Sequence, residues 1–111
     1  MADDILFEIE FYQNESGKSY FIDWLEGLDL KDQARIRHRL TRLEKGNFGD
    51  HSSVGDGVQE LRFFFGPGYR IYFGREKNKL ILLLNGGDKS SQSKDIKKAK
   101  EYWNNFLRGK K

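Results

Sequence analysis

Five consecutive aliphatic residues, Leu80-Ile81-Leu82-Leu83-Leu84, constrain the fold of this 111-residue chain more than any other stretch. Side chains of a strand point alternately to its two faces, so an apolar run without alternation needs apolar cover on both sides. A membrane span takes about 20 apolar residues, far more than this run offers. The run therefore predicts a central strand with other elements packed on each face, ending in a loop at Asn85-Gly86-Gly87-Asp88-Lys89. A chain of this length has room for one such core, so residues 1–111 read as a single domain.

The stretch Val58–Gly74 (VQELRFFFGPGYRIYFG) reads as a tight β-hairpin turning at Gly66-Pro67-Gly68, where proline presets one turn dihedral and glycine permits positive φ. Alternation sets Leu61, Phe63 and Phe65 on one face of the first strand and Glu60, Arg62 and Phe64 on the other. In the second strand Ile71 and Phe73 oppose Arg70 and Tyr72. With the apolar sets turned to the core, Glu60, Arg62, Arg70 and Tyr72 share the opposite face. Two guanidiniums, a carboxylate and a phenol on one patch suit a phosphate or a nucleotide.

The remaining elements follow from period and punctuation. Ile5–Tyr12 alternates as a strand with Phe7, Ile9 and Phe11 on its buried side. From about Lys18 to Gly27, Phe21, Trp24, Leu25 and Leu28 fall at helical spacing, with Gly27 as the stop and Trp24 in the core. Asp29 reads as the N-cap of a second helix running to about Lys45, its apolar stripe formed by Ala34, Ile36, Leu40 and Leu43. Arg35, Arg39 and Arg42 recur at i, i+4 and i+7 and line one exposed face, a grip for nucleic-acid backbone. Phe48–Gly57 reads as a loop lacking phosphate-loop and calcium-loop patterns. Ser90 or Ser91 caps a last helix over roughly Gln92–Leu107 with Ile96, Ala99, Trp103 and Phe106 as its stripe. The whole is an α+β domain, a small antiparallel sheet with packed helices in the order β-α-α-β-β-β-α.

Charge is divided along the chain. Residues 1–30 hold eight acidic residues against one lysine, whereas residues 31–111 hold nineteen basic against nine acidic. The later part thus offers a surface for a polyanion. The absence of cysteine excludes a disulfide framework, thiol catalysis and cysteine-ligated zinc. His38 and His51 have no metal-ligand spacing, so neither metal nor cofactor is expected. The acidic opening Met1-Ala2-Asp3-Asp4 is unlike a signal peptide, and a cytoplasmic location follows by default.

Asn47-Phe48-Gly49-Asp50, Val54-Gly55-Asp56-Gly57-Val58, Glu60-Leu61-Arg62, Gly66-Pro67-Gly68-Tyr69-Arg70-Ile71-Tyr72-Phe73, Gly86-Gly87-Asp88-Lys89-Ser90 and Lys94-Asp95-Ile96 stand in this order. In this series the chain resembles the RelE/ParE superfamily of toxins from type II toxin–antitoxin modules, specifically the HigB-like addiction module killer branch. The resemblance implies a microbial-ribonuclease-like fold and neutralisation by a cognate antitoxin, commonly a helix-turn-helix protein. Members similar to RelE and HigB are mRNA interferases, endoribonucleases that cut mRNA on the ribosome and so inhibit translation, whereas ParE-like members poison DNA gyrase without cleaving RNA. Carried onto this chain, the ribonuclease pattern falls on Arg62, Arg70 and Lys89. The chain departs from better-known members in having no histidine or tyrosine at the C-terminal active-site position, unless Tyr102 reaches inward.

Metal-free RNA cleavage needs a base, an acid and positive charge for the transition state. Arg62 and Arg70 suit the charge role, Lys89 the leaving oxygen, and Glu60 is either the base or the partner that holds Arg62. Tyr72 suits base stacking or a hydrogen bond, and Arg35, Arg39 and Arg42 suit ribosomal RNA phosphates. Two alternatives stand beside this reading: a ParE-like gyrase inhibitor acting by protein contact, and a non-toxic nucleic-acid-binding module.

Overall fold

The computed structural model describes residues 5–77 and 79–109, so Met1–Asp4 lie outside the described residues. The chain builds β1 (Glu8–Phe11), α1 (Tyr20–Glu26), α2 (Leu30–Glu44), β2 (His51–Gly55), β3 (Val58–Arg62), β4 (Arg70–Glu76), β5 (Leu80–Gly87) and α3 (Gln92–Arg108). The sheet has five strands in the order β1-β5-β4-β3-β2. From β1 at one edge the two helices carry the chain to the opposite edge. The strands β2 to β5 then return as an antiparallel meander that ends beside β1.

The apolar run lies within β5, between β1 and β4, and both its faces are covered. Ile81 and Leu83 join Phe21 and Leu25 of α1, Ile36 and Leu43 of α2, and Leu61, Ile71 and Phe73 of the sheet in one core. Leu82 and Leu84 join Val58, Tyr72, Ala99, Tyr102 and Trp103 in a second core beneath α3. The sheet is therefore sandwiched, with α1 and α2 on one face and α3 on the other.

Capping residues set the helix starts. The Ser19 hydroxyl accepts from the Ile22 amide at 3.1 Å and the Asp29 carboxylate from the Asp32 amide at 2.9 Å. Asp88 caps a 3₁₀ turn, Lys89–Ser91, that leads into α3.

Four features differ from the reading of the sequence. First, the sheet is mixed: β1 pairs with β5 in parallel, because two helices separate it from the meander. Second, residues 51–55 are an edge strand where a loop was expected. The low strand propensity of His51-Ser52-Ser53 hides it, and so does a register shift between Ser53 and Gly55. Third, the turn after β3 is wider than a tight hairpin. Pairing ends at Arg62 and Arg70, one further bond joins the Phe63 amide to the Tyr69 carbonyl at 3.0 Å, and the intervening residues loop outward. Fourth, in α2 the inward position belongs to Gln33 rather than Ala34; the Gln33 amide donates to the Leu28 carbonyl at 2.9 Å and so ties α2 to the end of α1.

Candidate active site

The end of β3, the start of β4 and the end of β5 meet at one end of the sheet. Glu60 lies opposite Tyr72, Arg62 opposite Arg70, and Arg70 in turn opposite Gly87. Alternation then turns Glu60, Arg62, Arg70 and Tyr72 to the face that α3 covers, and their side chains do meet there.

Glu60 is the hub of this cluster. Only 2 % exposed, it accepts from Arg62 Nη1 at 3.0 Å, from the Tyr72 hydroxyl at 3.1 Å and from Gln92 Nε2 at 2.8 Å. Arg70 Nε lies 3.5 Å from the same carboxylate. Three hydrogen bonds and a facing guanidinium thus engage a carboxylate that is almost closed off from solvent. Between the base and holding roles left open for Glu60, the geometry supports holding.

Tyr72 is fully buried, and burial followed by the charge of Glu60 pushes its phenol well above the ordinary value. A ring enclosed in the second core has no face to offer a base, so the expected stacking role is corrected to a structural one.

Arg62 is held on three sides. It makes a bidentate pair with Asp50, at 2.9 Å for each oxygen, and donates to the Ser52 hydroxyl at 2.9 Å besides Glu60. Hydrogen bonds to Asp50, then to Glu60, raise its pKa, and the same bond to Arg62 holds the Asp50 carboxyl below the usual range. Arg62 is thus fixed in place and balanced by two carboxylates.

Arg70 keeps more capacity. One terminal nitrogen donates to the Gly68 carbonyl at 3.0 Å, while its buried Nε makes no hydrogen bond among the described residues. Its guanidinium and Lys89 flank Gly68: a Cβ built there would lie 3.5 Å from Arg70 Nη1 and 3.5 Å from Lys89 Cβ. The Lys89 amide also donates to the Pro67 carbonyl at 3.4 Å, which ties the 3₁₀ turn to the loop after β3. Asp88 steadies that turn by accepting from the Ser90 amide at 2.8 Å, and the hydroxyl and amide of Ser90 hold its carboxyl below the usual range. Lys89 itself is exposed.

The three α2 arginines divide. Arg35 and Arg42 are exposed as expected. Arg39 is half-buried and donates to the carbonyls of Arg62 at 2.6 Å, Phe48 at 3.1 Å and Asp50 at 3.2 Å. Burial, then the neighbouring Arg42, lowers its pKa. Its expected role as a backbone grip is corrected to that of a clasp holding the Asp50 loop against β3. Tyr102 does not reach the cluster; its ring stacks with those of Tyr20, at 4.4 Å between centroids, and Tyr12, at 5.3 Å.

Sequence reasoning missed Asp50, Ser52 and Gln92. Asp50 and Ser52 belong to the hidden strand and its approach, and Gln92 reaches Glu60 only because α3 packs across the sheet.

The family described as "Phage derived protein Gp49-like (DUF891)" matches residues 23–104, which include every residue of the cluster. An uncharacterized protein of Haemophilus influenzae is 52% identical over 81 residues, covering 72% of this chain and 82% of that protein. The chain belongs to the Gp49-like family of phage-derived proteins, a RelE-like toxin family of toxin–antitoxin modules.

Proposed function

We propose that this protein is the toxin of a type II toxin–antitoxin module and acts as a HigB-like, ribosome-dependent mRNA endoribonuclease in the cytoplasm, held inactive by its cognate antitoxin. The observation that carries the reading is that the Arg70 guanidinium and the base of the Lys89 side chain both border Gly68, at the sheet end where Arg62 is already fixed.

In such a cleavage the 2′-oxygen attacks the adjacent phosphorus, and the bond to the 5′-oxygen breaks to leave a 2′,3′-cyclic phosphate. Arg70, with donors to spare, clamps the phosphate as charge builds on its oxygens, and Arg62 adds positive charge from a fixed position. Lys89 gives the departing 5′-oxygen its proton, while the 2′-hydroxyl proton leaves to solvent. With Glu60 engaged elsewhere, much of the acceleration rests on alignment of the message. A ribosome supplies that, so naked RNA should be a poor substrate.

Incubation with translating ribosomes followed by mapping of message ends tests this: wild type should cut in the A site. The Arg70→Ala protein should fold normally by circular dichroism and lose cleavage by at least about a hundredfold. Full growth arrest by a folded Arg70→Ala protein would remove the clamp. Gyrase-linked DNA breaks without message cleavage would replace the ribonuclease reading with the ParE-like one.

A further inference from the structure

Beside the phosphate cluster a separate groove of about 510 Å³ runs between α2 and the loop that follows β3. Its polar wall consists of Arg35, His38, Arg39 and Arg42, and among the described residues no carboxylate lines it. The other wall is three successive phenylalanines, which do not behave alike. The Arg39 guanidinium lies over the Phe63 ring at 4.8 Å and the Arg35 guanidinium over the Phe65 ring at 4.8 Å, so cation–π contacts fix both rings. Phe63 and Phe65 also meet edge to face at 5.7 Å, and Phe65 packs on Tyr69. Phe64, between them, points outward and is 87% exposed.

We propose that this groove is a binding subsite for single-stranded RNA, with Phe64 as the platform for one unpaired base and Arg35, His38 and Arg42 as contacts to the flanking phosphates. The inference rests on the ribonuclease reading for its biological setting, and its geometry stands apart from the Arg70–Lys89 pair. Charge chooses the occupant: a groove with four basic side chains and no acid repels a cationic segment and attracts a polyanion. The exposed ring chooses within the polyanions. Duplex bases are stacked inward, whereas an unpaired base offers a free face to an aromatic side chain. Arg39 is held by three backbone carbonyls and so stays a fixed part of the polar wall.

The test is equilibrium binding of a short fluorescein-labelled single-stranded RNA to the full chain, without ribosomes, across a series of salt concentrations. Phe64→Ala, at so exposed a position, should keep the native circular dichroism and weaken binding about tenfold without changing the salt slope. Phe64→Trp should restore binding. Arg42→Ala should reduce the salt slope by about 0.7, as one fewer phosphate is then neutralised. Binding of the same strength by Phe64→Ala and wild type would overturn the subsite, as would equal affinity for a duplex of the same length. RNA binding that survives Phe64→Ala while the antitoxin complex falls apart would make the groove a protein-docking surface instead. Cleavage on ribosomes with RNA binding indifferent to Phe64 refutes this site alone. RNA binding that depends on Phe64 in a protein that cuts no message refutes the ribonuclease reading alone.

Discussion

A carboxylate that is 2 % exposed, accepts from Arg62, Tyr72 and Gln92 and faces Arg70 is shut away from a substrate's proton. Its removal should therefore be felt in stability before it is felt in chemistry. Glu60→Ala would leave two guanidiniums and a phenol facing an empty space, the situation in which breaking a buried pair costs about 3 kcal/mol or more. Urea unfolding should show that loss, whereas a residue acting only as a base would leave the urea midpoint where it is. The company of Glu60 was half legible in one dimension. Period-two alternation puts Glu60, Arg62, Arg70 and Tyr72 on one face, and there they meet. Alternation carries no information about what lies above that face, so Gln92, and with it the burial of Glu60 and Tyr72, became visible only with α3 in place.

Between elements, close approach decides which residues can stand where. The Trp103 indole of α3 lies against Gly74 of β4, so near that a Cβ there would collide with ring carbons. A rigid ring in a packed core has little freedom to withdraw, and Gly74→Ala should destabilise the fold by about 1–3 kcal/mol through displacement of α3. The comparison to make is thermal unfolding against Gly17→Ala. That change meets open space and costs only the strain of its left-handed backbone, with φ at +81°. If both substitutions lower the melting temperature equally, the α3 contact is not the cause. Gly74 is also a case of an element whose logic is hidden in sequence: a glycine inside a strand marks a close neighbour but does not name it. β2 is another, since two serines and a glycine give little strand signal. The bidentate Asp50–Arg62 pair and the Ser52 bond to Arg62 then join that edge to β3. The long-period features were the legible ones. Leu80–Leu84 foretold a strand covered twice, and Asp29 foretold the start of α2.

For the molecule as a whole, the two cores on either side of the sheet enclose phenols, and this sets a limit to stability in alkali. Tyr69, whose hydroxyl donates to Asp32 at 2.8 Å, is pushed up to about 12, first by burial and then by that bond. Tyr102 is pushed up to about 12, by burial and then by Tyr20. Tyr72, buried beside the Glu60 carboxylate, is raised further. A phenol raised in the folded state keeps a proton that the unfolded chain has lost. The stability it contributes is therefore complete below the ordinary value of 10 and declines as pH rises from there towards the folded values. At the acid end the sign reverses. Asp50 and Asp88 are held below their ordinary value of 3.8, so their contribution is present above that pH and fades as pH falls through the folded values. The urea midpoint should accordingly be level near neutrality and drop between about pH 10 and 12. Tyr72→Phe should begin lower at pH 7, by about 1 kcal/mol for the missing hydrogen bond to Glu60, and then fall less steeply. A wild-type midpoint unchanged up to about pH 11 would mean that the phenols are as open to water as in the unfolded chain. Two closed cores, one with Tyr69 at its rim and one built around Tyr72 and Tyr102, require the drop.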